Sequence, residues 1–300
     1  MSIFNSLGSN YDLRFILKSL LGWGKSADTQ KLKALLEEKY SGKAYLFYKG
    51  REALTFALEL LKLPSDSKIV INGFTCVAVF NAIRKAGYEP ICLDLQESGG
   101  LNFTAKSLEE CTKKEKKLKV VVVQNTLGYP CEIEKIKSIC EKNNLILIED
   151  LAHCVGTEYE NGGEAGTVGD FTVLSFSQDK IVDAICGGAL VVRNNKYSNL
   201  DVNIKMQEPK TQIRDRFYPL NTLKIRLLYG LGVGKIYHSI VKSLGLLTNI
   251  MNESFYNYYK LPPFYAMLAN ASFANLKNQL SHRRKIAEIY VSILPDKILM

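Results

Sequence analysis

Val120, Val121, Val122 and Val123 stand in an unbroken run. Four consecutive β-branched residues favour an extended strand. A strand apolar at every position must be covered on both faces, which restricts it to the interior of a parallel sheet layered by helices. Further short apolar runs occur at 44–48, 69–71, 90–94, 145–148 and 171–176, and Gly187 and Gly188 open another. Between them lie helical stretches: 51–63, a segment through Lys85 closed by Gly87, one containing 107–111, and 133–142. Strand and helix thus alternate through the region, without an internal repeat. The alternation predicts βαβ units with right-handed crossovers, and so an α/β three-layer sandwich around a mostly parallel central sheet.

Open α/β sheets bind ligands beyond the carboxyl ends of their strands, and the residues at those ends carry chemistry. The run 145–148 stops in Glu149 and Asp150, and 171–176 runs into Ser177, Gln178, Asp179 and Lys180. The valine run ends in Gln124, Asn125 and Thr126, and 44–48 stops at Lys49 and Gly50. Gly50 allows close backbone approach, and free amides of Arg51 and Glu52 at the start of the next helix form an anion site. A carboxylate and a lysine on neighbouring strand ends meet two needs of pyridoxal phosphate. These are an amine for the Schiff base and a carboxylate that keeps the pyridine nitrogen protonated. A phosphate cup and a ring-stacking wall complete the requirement.

The blocks EDLAHCVG and GDFTVLSFSQDK, followed by a GG pair, resemble the DegT/StrS-type sugar aminotransferases, which are fold type I pyridoxal phosphate enzymes. The match extends more loosely over 45–290. It implies the fold type I aminotransferase large domain followed by a helix-rich segment. By position it assigns Asp150 to the pyridine nitrogen, His153 to the neighbourhood of the phenolic oxygen, Ser175 to the phosphate and Lys180 to the Schiff base. It also puts the turn of Gly50, Arg51 and Glu52 at the phosphate, and Cys76 where the family stacks an aromatic residue on the ring, with Phe74 two residues earlier. Arg51 and Cys76 depart from the family, which has a small or hydroxyl residue and an aromatic at these places. Asn125 or Thr126 is expected either to hydrogen-bond cofactor or substrate or to shape a turn. The expected site therefore comprises Lys180 and Asp150 as catalytic residues, with His153, Ser175, Gly50, Arg51, Glu52, Cys76 and Asn125 around the cofactor, and no metal.

The implied activity is transfer of an amino group, with glutamate as donor, to a nucleotide-linked keto-sugar for cell-surface glycan or secondary-metabolite sugar synthesis. The alternative is a non-enzymatic member of the fold acting at a membrane surface or in regulation. Lys180 argues against the dehydratases of the family, which carry histidine there. The single glycine of 47–54 argues against a nicotinamide enzyme, which needs G-x-G-x-x-G after its first strand.

A net charge of +9 suits an anionic partner. The basic residues are scattered, however, and the densest group, Lys113 to Lys119 around Glu115, reads as a solvated helix end, so nucleic acid is not expected. Seven cysteines without a CxxC pair, with Cys92, Cys140 and Cys154 in predicted core elements, and no leader pattern point to the cytoplasm. Four regions follow. Residues 1–42 form a helical arm, with helices at 12–21 and 29–40, and residues 43–194 form the cofactor-binding domain. Residues 195–260 are irregular through 218 and then an amphipathic hairpin over 223–250, whose basic face suits a lid, a dimer surface or the inner membrane surface. Residues 261–300 are connecting helices at 266–280 and 283–294 toward an incomplete C-terminal small domain. The family continues beyond such helices, so the end at Met300 reads as a truncated or a naturally short member. The apolar content of 194–249, together with the resemblance, predicts a homodimer with shared active sites.

Overall fold

The computed structural model describes residues 11–96, 100–198, 213–247 and 257–295. Among them, β1 (Lys43–Phe47), β2 (Lys68–Asn72), β3 (Glu89–Leu93), β4 (Leu118–Val123), β5 (Ile146–Asp150), β6 (Phe171–Ser175) and β7 (Gly188–Val192) form one sheet, ordered β1-β7-β6-β5-β4-β2-β3. Neighbours from β6 through β3 pair in parallel, while β7 is antiparallel to both β6 and β1. The carboxyl ends of β1, β4, β5 and β6 therefore lie along one edge of the sheet.

The helices are α1 (Leu13–Leu21), α2 (Ser26–Tyr40), α3 (Gly50–Leu60), α4 (Val77–Lys85), α5 (Ala105–Lys114), α6 (Ile133–Lys142), α7 (Asn195–Ser198), α8 (Ile213–Tyr229), α9 (Val233–Ser243), α10 (Pro263–Ala274) and α11 (Leu276–Ile293). Leu54, Phe56 and Leu58 of α3 and Val79 and Ile83 of α4 pack on one sheet face, against Val120, Val122, Ile148 and Val173. Leu36 of α2, Leu108 of α5, Ile136 of α6 and Leu268 of α10 cover the other, against Val121, Val123, Leu147 and Leu174. No valine of the 120–123 run is more than 1% exposed. The three-layer α/β arrangement is thus the one the apolar runs require.

The fold departs from the sequence expectations in three places. The stretch expected to be irregular through 218 is helical from Ile213. Several of the positions that α8 buries are polar or Pro (Asp215, Pro219, Asn221 and Thr222), so its apolar period is broken in the sequence. The C-terminal helices divide at Asn275, whose amide bonds to the carbonyls of Ala271 and Ser272, and not between 280 and 283. Cys92 is exposed on the edge strand β3, although Cys140 and Cys154 are buried as expected. Leu227, Leu231, Ile236, Ile240 and Leu244 are exposed on the single chain, as apolar surface that a partner subunit or a membrane is expected to cover. Parts of the expected arm (1–10), of the expected insertion (199–212 and 248–256) and of the C-terminal end (296–300) lie outside the described residues. No described helix is long and apolar enough to cross a membrane.

Candidate active site

Pairing register explains which residues meet. Val122 lies opposite Ile148, Asp150 opposite Val173, and Ser175 opposite Gly188, which in turn faces Phe47. Side chains alternate between faces along a strand. Val120, Val122, Ile148, Val173 and Phe47 share the α3 face, so Gln124, Asp150, Ser175 and Lys49 project from that same face at the carboxyl edge. All four line a cavity of about 330 Å³ between the sheet and the starts of α3 and α4. Its volume is in the range of small-molecule sites.

Seven of the nine expected residues line this cavity: Lys180, Asp150, His153, Ser175, Gly50, Arg51 and Cys76. Asn125 and Glu52 do not. Asn125 is one residue out of phase with Gln124 and fully buried; its side chain donates to the Tyr159 hydroxyl (2.8 Å) and accepts from the Cys131 amide (2.9 Å). The adjacent Thr126 accepts from the Asn72 side chain at 2.9 Å, so both residues shape the turn. The Glu52 amide is not free, because it donates to the Lys49 carbonyl at 3.2 Å. Its carboxyl is buried, accepts from the Tyr259 amide at 3.3 Å, and is pushed up to about 8 by burial. Phe74 is half exposed and stands outside the lining, while Cys76 stands within it.

Glu149, next to Asp150, also points to the opposite face. It accepts from the Tyr159 hydroxyl and the amides of Gly166, Val168 and Gly169 at 2.6 to 2.8 Å, which fixes the loop between β5 and β6. Asp150 itself is 4% exposed and accepts from the Ala152 amide (3.0 Å) and the Gln124 side chain (3.2 Å). Burial raises its carboxyl above the ordinary range, while the Ala152 amide, Lys180 and His153 pull the other way. Burial and the Lys180 charge lower His153, and Asp150 opposes them. The strand-end carboxylate is therefore desolvated and suited to a cationic partner.

The start of α3 touches β6. A Cβ on Gly50 would stand 2.6 Å from Ser175 Cβ and 2.9 Å from its Oγ, so only glycine leaves this cradle open. Arg51 and the buried Lys49 flank it, and the Ser175 hydroxyl lies 3.3 Å from that of Ser177. His153 Nδ1, Gln124 Oε1 and Gln178 Nε2 are buried without a hydrogen-bond partner. Unsatisfied buried polar atoms each cost about 1–3 kcal/mol, so a polar ligand in the cavity is favoured. A cationic, glycine-floored cradle at one side, a buried carboxylate and a lysine fit pyridoxal phosphate. Lys49, Gln124, Ser177 and Gln178 were not among the expected ligands. All four stand at strand ends already marked by the sequence, but only register shows that Gln124 faces the cavity and Asn125 does not.

A sequence model of the DegT/DnrJ/EryC1/StrS aminotransferase family matches residues 30–298. Among curated proteins, GDP-perosamine synthase of Vibrio cholerae is 28% identical over 247 residues, covering 82% of this chain and 56% of the relative. The dTDP-4-amino-4,6-dideoxy-D-glucose transaminase of Shigella dysenteriae is 30% identical over 169 residues, covering 56% of this chain and 44% of the relative. The chain thus spans about half the length of these curated relatives. Of solved structures, the aminotransferase TlmJ from Streptoalloteichus hindustanus superposes with a TM-score of 0.68 at 24% identity, covering 96% of this chain and 70% of that one. Helicobacter pylori PseC, an aminotransferase of pseudoaminic acid biosynthesis, gives 0.64 at 18% identity, covering 92% and 66%. These likenesses show the fold.

Proposed function

The chain belongs to the DegT/DnrJ/EryC1/StrS aminotransferase family, and from that premise we propose that it transfers an amino group from glutamate to a keto-sugar carried on a nucleotide, using pyridoxal 5′-phosphate. The observation that carries this reading is the convergence of Lys180, Asp150 and the Gly50–Ser175 cradle on one cavity. Bound there, the cofactor supplies an aldehyde that condenses with amines and a ring that takes up an electron pair. Lys180 Nζ would hold the cofactor and, once released from it, would serve as the base that moves a proton at the α-carbon of the amino donor. The Asp150 carboxylate would keep a proton on the ring nitrogen by its negative charge. Ser175, Arg51 and the amides near Gly50 would bind the phosphate, His153 would orient the ring oxygen, and Cys76 would border the ring.

Relatives that act on GDP- and dTDP-linked amino sugars support the substrate class. The same reading places the protein in the cytoplasm and makes the working unit a homodimer, the latter supported by the exposed apolar faces of α1, α8 and α9. A non-catalytic descendant has no need of a lysine and a buried carboxylate in one cavity, so the enzymatic reading is preferred. The test is spectroscopic and then catalytic. Purified protein mixed with pyridoxal phosphate should show a visible absorbance band that borohydride removes and Lys180→Ala lacks, and glutamate should convert the bound cofactor. A chain that shows no band overturns the proposal; a band without amino transfer to nucleotide keto-sugars overturns the substrate class.

A further inference from the structure

Lys180 sits in the connection between β6 and β7, a compact loop cross-linked by its own backbone. Phe176 N–H bonds to Gly187 O (2.8 Å), Ala184 N–H to Phe176 O (2.8 Å) and Gln178 N–H to Ile185 O (3.2 Å). Two non-glycine residues in it adopt left-handed backbone, Asp179 at φ 68° and Ile185 at φ 72°. Aspartate visits that region at modest cost, but a β-branched residue there is strained and persists only where its surroundings hold it. Both are held by one side chain. Asp183, 4% exposed, accepts from the Asp179 amide through Oδ2 (3.2 Å) and from the Ile185 amide through Oδ1 (2.8 Å).

Asp183 is in turn anchored from two distant parts of the chain. Its amide donates to Ser272 Oγ on α10 (3.2 Å), and its Oδ2 accepts from the Tyr11 hydroxyl (3.0 Å). Tyr11 precedes the N-cap of α1, where Asp12 Oδ1 accepts from the Phe15 amide at 2.7 Å. Its ring stacks on Phe15 (centroids 5.0 Å apart) and meets Tyr218 of α8 edge-on (6.1 Å). Burial and the Asp183 charge hold the Tyr11 hydroxyl well above its usual range, so it remains a donor. Tyr11 lies upstream of residues 30–298, the stretch that matches the family.

The geometry points to Asp183, braced by Tyr11 of the N-terminal arm, as a positioning residue that fixes the strained loop so that Lys180 is presented to the cavity. This rests on the reading of Lys180 as the cofactor lysine. The full-length protein and its Tyr11→Phe, Asp183→Asn and Asp183→Ala variants would be compared in two measurements. The first is amide hydrogen exchange of the apoprotein over 177–187. The second is the rate at which pyridoxal 5′-phosphate, trapped by reduction, labels Lys180, located by mass spectrometry. Losing one hydrogen bond to a carboxylate should speed exchange in that loop by about tenfold in Tyr11→Phe and slow Lys180 labelling by a similar factor. Asp183→Asn, which keeps an acceptor for Ile185, should fall between wild type and Asp183→Ala. If Asp183→Ala does not fold, Tyr11→Phe, which loses a single oxygen, still decides the matter. Unchanged exchange and labelling in Tyr11→Phe overturn the proposal, as does faster exchange spread over the whole chain with labelling unaltered. Failure of wild type to label Lys180 removes the cofactor reading instead, and the loop exchange still reports whether the brace exists.

Discussion

Asp150 sits where burial disfavours its charge and Lys180, His153 and the Ala152 amide favour it, so its ionisation depends on what cation the cavity receives. A neutral amide at this position keeps the shape and removes that charge. Asp150→Asn is expected to bind pyridoxal phosphate yet slow the half-reaction with an amino donor by on the order of a hundredfold. Stopped-flow rates near wild type would take Asp150 out of the mechanism. Ser175 makes a separate prediction, because its hydroxyl borders the Gly50 cradle. Losing a hydrogen bond to a charged group costs about 1.5–3 kcal/mol, so Ser175→Ala should weaken cofactor affinity roughly tenfold or more. Titration of the apoprotein measures it, and an unchanged Kd contradicts the phosphate role. Asp150, Ser175 and Lys180 were legible in the sequence because each ends or follows an apolar run. Gln124 was not distinguishable from Asn125, since a strand buried on both faces has no period-two signal to tell its faces apart.

The first turn of α3 illustrates what an element adds. Glu52 reads as a helix-start residue that offers its amide to an anion, but the fold buries its carboxyl against the Tyr259 amide. Burial keeps its carboxyl protonated in the folded state to about pH 8, whereas its ordinary value is 4.5. Between those values the folded chain binds the extra proton. The associated stability is complete below the lower value, is lost as pH rises toward the upper one, and is level above it. Glu52→Gln should therefore match wild type at acidic pH and exceed it at pH 8 by on the order of a few kcal/mol. Urea unfolding at both pH values tests this; parallel curves for the two proteins would mean that Glu52 ionises freely in the fold. Helix α8 teaches the same lesson, since its buried face holds Asp215, Asn221 and Thr222, and the Asp215 carboxylate accepts from the Tyr265 hydroxyl.

At the scale of the whole molecule, the exposed apolar side chains of α1, α8 and α9, among them Leu17, Leu227, Ile236 and Ile240, call for a covering surface. A homodimer is expected, and light scattering in detergent-free buffer should give a mass near twice 33.7 kDa. A stable monomer with the cofactor band would refute shared active sites, and binding to anionic liposomes would assign the basic, apolar hairpin to a membrane surface. The layered α/β fold and its carboxyl-edge site were determined by the sequence itself, because uninterrupted apolar strands can be buried only one way and polar residues at their ends have only one edge to occupy. Which of those polar residues face the cavity, that Glu149 secures a loop while Asp150 enters the site, and that Tyr11 reaches Asp183 across 172 positions were decided only by the tertiary structure. Strand register, pleat phase and contacts between distant segments are set by the packing of the whole chain, and no local stretch carries them.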